Sequence, residues 1–520
     1  MDSKNKKHGK AKGIVISYIY FVANTILSIA VSAFIVRNVG KTNYGVYQSI
    51  TAFITYLVLL EFGMSTLMTR NLSLLNKDTK NTDEINKNVS TIWSSTILLS
   101  IIISSFLIIF YFLIPIIYSN SFTDSQIILG RNIFIFTGIN LIFTFLCSTL
   151  NGLILAYEQY TFEKYLNLLK LFLRSSLIVV LLLIRSNILL VAIVDACLGI
   201  AAFIFTLIYC IYKFKAKLTF KYFDKTILKL CLPLAFAMLI QGVVNTANTV
   251  VDKFLISIMM TPDDVSVYSI TMLIFTMFSS LGTLPNTLFI PSIAKNVKAG
   301  LKGKEFTKTL IEPCRLNVLI MGVVGFGYLL IGKQFISVVY GIDYIDAWIY
   351  SLILLFPLFF YLTNAIMAHV LTVFNKRQIM SYISLIATVI NVGLTIFAIR
   401  AFGMFGAAAA TAFSTIIQIV ALNIYYDRKM GINIFYLFKE SFKGIIPSLF
   451  FSFAIALPFI IRLPRNSLKI ACGGIIFVIV FFFLFMFFGA NEWEKNKINS
   501  LLIKMHLKKK TNQNEDNEHL

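Results

Sequence analysis

The stretch "FEKYLNLLKLFLRSSLIVVLLLI", residues 162–184, is apolar enough to cross a bilayer, yet it carries Glu163, Asn167, Lys170 and Arg174. Those four stand at i, i+4, i+7 and i+11, one stripe of an α-helix. A cation near the middle of a membrane helix costs roughly 2.5–3.5 kcal/mol on insertion scales, so such a stripe belongs against a bundle interior or water rather than lipid. Lys170 lies ~9 Å inside the helix boundary, within reach of headgroups by snorkelling. Arg174 lies ~15 Å in, near the midplane.

The rest of the chain repeats the pattern of an apolar run with a few polar positions. Of 520 residues, 58% are hydrophobic and only 13% are charged, with a mean hydropathy of +0.81. That composition excludes a soluble globular protein and predicts an all-α polytopic membrane protein. Apolar runs of membrane-spanning length fall at 14–36, 46–69, 91–118, 127–155, 165–184, 188–212, 230–258, 265–290, 314–340, 347–374, 379–399, 403–426, 444–461 and 468–489. They give about 14 transmembrane spans. The first is too long for a signal-peptide core and lacks a small-residue cleavage site, so it reads as a retained span.

Charge sets the orientation. With the N-terminus inside, 34 of the 46 Lys and Arg residues fall in inward segments and 8 in outward ones. Four lie within spans: Arg131, Lys170, Arg174 and Lys253. Both termini are therefore expected in the cytoplasm, with the chain in the cytoplasmic membrane. The net charge of +22 is then a consequence of topology and anionic lipid, not a sign of nucleic acid. The six cysteines sit in or beside apolar runs without metal-like spacing and read as small buried hydrophobes.

Residues 22–55 align without gaps on 243–276, with "VANT" facing "VVNT" and "GVY" facing "SVY". Six spans separate the copies, so the repeats run parallel. The expected organisation is a basic tail (1–13), two pseudo-symmetric six-helix bundles (14–215 and 216–428), two added helices (429–489) and a second cytoplasmic tail (490–520). In that tail Trp493, Ile498, Leu501, Leu502 and Met505 fall near one face of an amphipathic helix.

The polar positions inside spans are the functional candidates, because intramembrane polar groups face the bundle interior or a wet cavity. Arg174, Lys170 and Lys253 are the cationic candidates for binding substrate. Asn24, Gln241, Asn245 and Asn248 are the hydrogen-bonding ones, with Asp252 completing a stripe from Gln241. Glu61, Asp252 and Asp195 are candidates for coupling to a proton or Na⁺. Asp252 and Lys253 can also be read as an ion pair, His369 as a packing residue and Arg70 as an interfacial cation. No phosphate-binding glycine loop, metal-spaced ligand set or catalytic constellation is present, and the outer loops are too short for a polymerase or ligase. The chain is expected not to be an enzyme and to hold no cofactor or metal.

Three stretches carry a family resemblance. "YGVYQSITAFITYLVLLEFGMSTLMTRNLS" (44–73), "NTVVDKFLISIMMTPDDVSVYSI" (248–270) and "NVGLTIFAIRAFGMFGAAAATAFS" (391–414) resemble the second span, the seventh span with its loop, and the span 11–12 junction of polysaccharide flippases. With the fourteen-span layout, the chain is similar to Wzx-type oligosaccharide flippases of the multidrug/oligosaccharidyl-lipid/polysaccharide (MOP) exporter superfamily. The resemblance implies a MATE-like pair of lobes and alternating access. It implies a polyprenyl-diphosphate-linked glycan as substrate, carried from the inner to the outer leaflet for capsule, exopolysaccharide or O-antigen-type polymers, with membrane lipids and polysaccharide-assembly proteins such as a polymerase as partners. It also implies a cationic central cavity, which here falls to Arg174, Lys170 and Lys253 because the first span has no deep basic residue. A cation-coupled drug or metabolite exporter and a peptidoglycan lipid-precursor flippase are the alternatives.

Overall fold

A computed structural model describes residues 3–496, apart from 62, 76–81, 216 and 463–466, together with residue 500. The side chains of 3–19, 241, 243–249 and a few isolated positions also lie outside the description, as does most of the amphipathic C-terminal helix expected at 493–505.

The chain is all-helical, with no strand among the described residues. In order the helices are α1 (Ser3–Val39), α2 (Lys41–Leu57), α3 (Met64–Leu74), α4 (Thr82–Ile117), α5 (Asp124–Ala156), α6 (Tyr160–Ile184), α7 (Leu189–Phe214), α8 (Lys225–Met259), α9 (Pro262–Thr283), α10 (Ile290–Lys298), α11 (Gly303–Val339), α12 (Asp346–Thr363), α13 (Ile366–Val373), α14 (Arg377–Met430), α15 (Ile434–Phe442), α16 (Ile445–Arg462) and α17 (Ser467–Leu484). Among the described residues, eleven helical segments are long and apolar enough to cross a membrane. Three further rods bring the layout to the fourteen that the hydropathy runs predict. The second span is broken into α2 and α3 by a 3₁₀ turn at Val58–Glu61, α8 is the seventh span, and α14 contains two spans.

The turn inside α14 follows from "FGMFGAAAA". Gly403 takes φ 59°, ψ −140°, a conformation essentially closed to residues with a Cβ. The two rods then fold back closely enough that a Cβ on Gly406 would stand 2.1 Å from the Ala398 carbonyl oxygen. At the start of α8, Asp224 caps the helix by accepting from the Thr226 N–H at 2.8 Å, and that bond holds its carboxyl below the usual carboxylate range.

By contacts the chain divides into two compact units. The first comprises Met1–Leu273, Val339–Tyr350 and Ser384–Ser414; the second comprises Ile274–Val338, Ser351–Ile383 and Thr415–Leu520. In lipid, helices gain little from the hydrophobic effect on association, so packing and buried polar contacts hold each unit together. In the second unit the two added helices pack on α11 through Val318, Leu330, Leu449, Ile460, Phe477 and Phe481. Arg315 fixes this arrangement. Its Nε and Nη2 donate to Glu494 Oε1 and Oε2, both at 2.9 Å. Nη1 donates to the carbonyls of Glu440 (2.9 Å) and Lys443 (2.8 Å), and Nη2 to that of Gly489 (2.9 Å). All five guanidinium N–H groups are thereby used. The charge count treats Arg315 as a loop cation; it is 4% exposed.

Candidate functional site

Two carboxylates inside membrane-spanning helices, one partly and one fully buried, organise the first unit. On the α6–α7 hairpin, Arg174 meets Asp195 with both faces of its fork: Nε to Oδ1 at 2.6 Å and Nη2 to Oδ2 at 3.0 Å. Tyr47 of α2 donates its hydroxyl to Asp195 Oδ2 at 3.1 Å. The side chains are 34% and 14% exposed. A bidentate, charge-assisted pair of this kind is among the stronger polar contacts available. Arg174 is therefore one half of an ion pair, where the sequence alone suggests a free cavity cation, and Asp195 carries its counter-ion with it. Lys170, one turn earlier, is half-buried and makes no ion pair with a described residue.

The second carboxylate is Asp252 of α8, only 5% exposed. It accepts from Tyr268 of α9 at 3.1 Å and from Asn391 Nδ2 and Thr395 Oγ1, both at 3.2 Å. Thr411, in the second rod of α14, closes the set with a further hydrogen bond to Oδ2. All four donors are neutral. The neighbouring Lys253 turns instead to the side-chain carbonyl of Gln48, so the alternative reading of Asp252 and Lys253 as an ion pair is not what the structure shows. Thr395 and Thr411 also reach the Asn391 side-chain carbonyl, at 3.1 and 3.4 Å, so the four residues form one polar cluster. No cluster of three or more His, Cys, Asp or Glu with metal-site geometry occurs among the described residues.

The internal repeat relates these two sites. Tyr47 and Tyr268 are equivalent positions, 221 residues apart, and each donates to a buried aspartate at 3.1 Å. The aspartates themselves come from different helices, α7 and α8, so the symmetry lies in the surrounding helices and not in the acids.

Within the first unit, α1 and α2 also contact the start of α9 and the segment before α12. Thr42 donates to Asp263 at 2.6 Å, another pair of positions 221 residues apart. Lys41 donates to the Asp343 carbonyl at 3.1 Å and lies 5.6 Å from the Tyr344 ring. The hydroxyls of Ser32 and Tyr340 are 3.0 Å apart. Gly45 approaches Pro262 so closely that a Cβ there would stand 1.8 Å from the Pro262 carbonyl oxygen.

The remaining candidates are dispersed. Glu61 accepts from Ser148 at the α2–α3 break. Asn24 is half-buried on α1. Gln241, Asn245 and Asn248 are helical in α8, but their side chains lie outside the described ones. His369 lines a pocket of about 230 Å³ in the second unit with Asn364, Asn423 and Arg377. Sequence reasoning passes over Asn391, Thr395 and Thr411, although the first two stand at i, i+4 in an apolar span. It uses Tyr47 and Tyr268 only as markers of the repeat.

Residues 72–468 match the family model described as lipid II flippase MurJ. The chain belongs to the MurJ family. The chain is accordingly a multi-pass member of a family of lipid-linked-precursor flippases. The resemblance to Wzx-type oligosaccharide flippases is thereby replaced by membership of the MurJ family. Among solved structures, "Lipid II flippase MurJ, inward closed conformation" aligns with a TM-score of 0.73 at 16% identity, over 92% of this chain and 98% of that one. An inward-facing multidrug-resistance MATE transporter of the MOP superfamily aligns with a TM-score of 0.58 at 12% identity, over 78% and 94%. The MATE multidrug transporter DinF-BH aligns with a TM-score of 0.53 at 15% identity, over 81% and 94%. These likenesses establish the shared MurJ and MATE fold. A search of curated proteins finds no match.

Proposed function

We propose that the protein carries lipid II, a polyprenyl-diphosphate-linked peptidoglycan precursor, from the inner to the outer leaflet by alternating access. The observation that carries this reading is the match of residues 72–468 to the lipid II flippase family. The geometry supports it in one respect: Asp252 is a buried carboxylate with no built-in cation, which is what ion coupling requires.

Asp252 is the proposed coupling residue, with Asn391, Thr395 and Thr411 as its hydrogen-bond donors; Glu61 is a weaker candidate. Asp195 is assigned to holding Arg174 and Tyr47 together. Lys170, Lys253, Asn24, Gln241, Asn245 and Asn248 are the proposed headgroup contacts, with Lys170 and Lys253 answering the diphosphate and the amides answering sugar hydroxyls. The polyprenyl tail stays in lipid. Outward movement of one negative charge across an inside-negative membrane releases about 2.3 kcal/mol per 100 mV, so the potential and a counter-moving cation both favour export.

Complementation separates this reading from the polysaccharide one. Expression in a strain depleted of its own MurJ should restore growth and discharge accumulated lipid II. Expression in a strain lacking its O-antigen flippase should restore nothing. The opposite pair of results would return the protein to the Wzx reading.

A further inference from the structure

The four cations within spans do not all serve the two aspartate sites. Arg131 of α5 is partnered by neither. Its guanidinium carbon lies 4.2 Å from the centre of the Tyr111 ring on α4, and its Nε is buried without a hydrogen-bond partner. A cation within a membrane span is costly unless an anion or a water-filled cavity answers it. The aromatic ring answers part of that cost, and a donor remains unsatisfied.

Directly beside the stacked pair is an apolar crevice of about 380 Å³ between α4 and α5, with Tyr111 itself in its wall. Leu107, Ile108, Phe134, Ile135 and Gly138 form much of the remainder. This is a lipid-facing surface: Ile108, Phe112 and Ile135 are all exposed apolar side chains. Gly138 makes the space, since a Cβ there would stand 3.3 Å from both Leu107 methyls. Tyr111 lies ~9 Å from the end of α4 and Arg131 ~10 Å from the start of α5, a depth from which the arginine fork reaches the headgroup layer.

We propose that this crevice and Arg131 form a binding site for one anionic glycerophospholipid of the outward-facing leaflet. The phosphate meets the guanidinium, whose planar fork matches phosphate oxygens, and one acyl chain lies along the crevice. Tyr111 joins the two parts by stacking on the arginine and walling the chain.

The test is native mass spectrometry of the purified full chain, equilibrated in mixed micelles containing equal phosphatidylglycerol and phosphatidylcholine. The wild-type protein should retain one phosphatidylglycerol in about fivefold preference, the ratio that ~1 kcal/mol per basic group near an anionic headgroup produces. Arg131→Gln should abolish the preference, Arg131→Lys should keep part of it, and Gly138→Leu should lower retention of both lipids by filling the crevice. Equal retention of the two lipids by the wild-type protein, or undiminished preference in Arg131→Gln, would overturn the site. Displacement of phosphatidylglycerol by an equimolar polyprenyl phosphate would overturn the choice of occupant.

Discussion

Asp195, partly buried, and Asp252, fully buried, each accept a hydrogen bond from tyrosines 221 residues apart, and they differ in what neutralises them. Asp195 has Arg174 on its own hairpin. Asp252 has two threonines, an asparagine and a tyrosine. A buried charge must be paired, solvated by fixed dipoles or neutralised by an ion. The first acid is paired permanently by the chain. The second is solvated by dipoles alone, which leaves its charge open to a mobile ion. On the proposed reading, Asp195 is the structural carboxylate and Asp252 the exchangeable one.

The largest expected effect comes from removing the exchangeable charge. Asp252→Asn keeps the volume and several of the hydrogen bonds, so the protein should insert and fold, while complementation of a MurJ-depleted strain should fail. The same variant should lose any Na⁺- or pH-dependent rise in melting temperature shown by the wild-type protein. Ion binding at a hundredfold excess over its dissociation constant supplies about 2.7 kcal/mol of stabilisation, a readily measured shift. Transport by Asp252→Asn at the wild-type rate would erase the distinction between the two acids.

Next in size is the structural pair. Arg174→Met leaves Asp195 buried without its counter-ion, a change that costs about 3–5 kcal/mol at fully buried sites; partial exposure of Arg174 places the expectation near the lower end. Adding Asp195→Leu should return stability to within about 1 kcal/mol of wild type, because both charges are then gone. Denaturant unfolding in detergent reads both values. A double variant as unstable as the single one would mean that Asp195 contributes through Tyr47 and not through Arg174.

Much of the fold was legible because membrane spans announce themselves by length, apolarity and flanking charge. The site was less so. A stripe at i, i+4, i+7, i+11 shows that Arg174 faces inward, but not that Asp195, on another helix, occupies the facing position. Asp252 stands out as an acid in an apolar span, yet Thr395 and Thr411 do not, since threonine in a membrane helix commonly bonds its own backbone. Arg315 was misread for a related reason. A cation near a span boundary looks like a loop charge until the chain returns, at Glu440, Lys443, Gly489 and Glu494, to surround it. Pairings between helices depend on packing angles that periodicity does not encode.

A smaller effect should follow from trimming the cage around Asp252 while leaving the acid. Thr411→Val removes one hydroxyl at nearly constant volume. Its hydrogen bond stabilises the ion-free carboxylate by about 1.5–3 kcal/mol, so its loss strengthens binding of a neutralising ion by roughly tenfold or more. The ion-dependent melting shift should therefore move to about tenfold lower ion concentration without disappearing. Thr395→Val should act in the same direction. A shift unaffected by either would place the ion elsewhere and leave Asp252 as inert as Asp195.

The smallest effect is expected where α2 meets the start of α9 within the first unit. Thr42→Val removes its bond to Asp263, a partly buried contact worth about 0.5–1.5 kcal/mol. In a two-state equilibrium between this contact closed and open, that bias raises the open population by roughly two- to tenfold. The rise should appear as faster labelling by a membrane-impermeant thiol reagent at Ser266→Cys, a buried position on α9 one turn further along. Labelling that stays at the wild-type rate would show that the Gly45–Pro262 approach holds the two helices together. That contact would then depend on shape and not on charge, unlike either aspartate site.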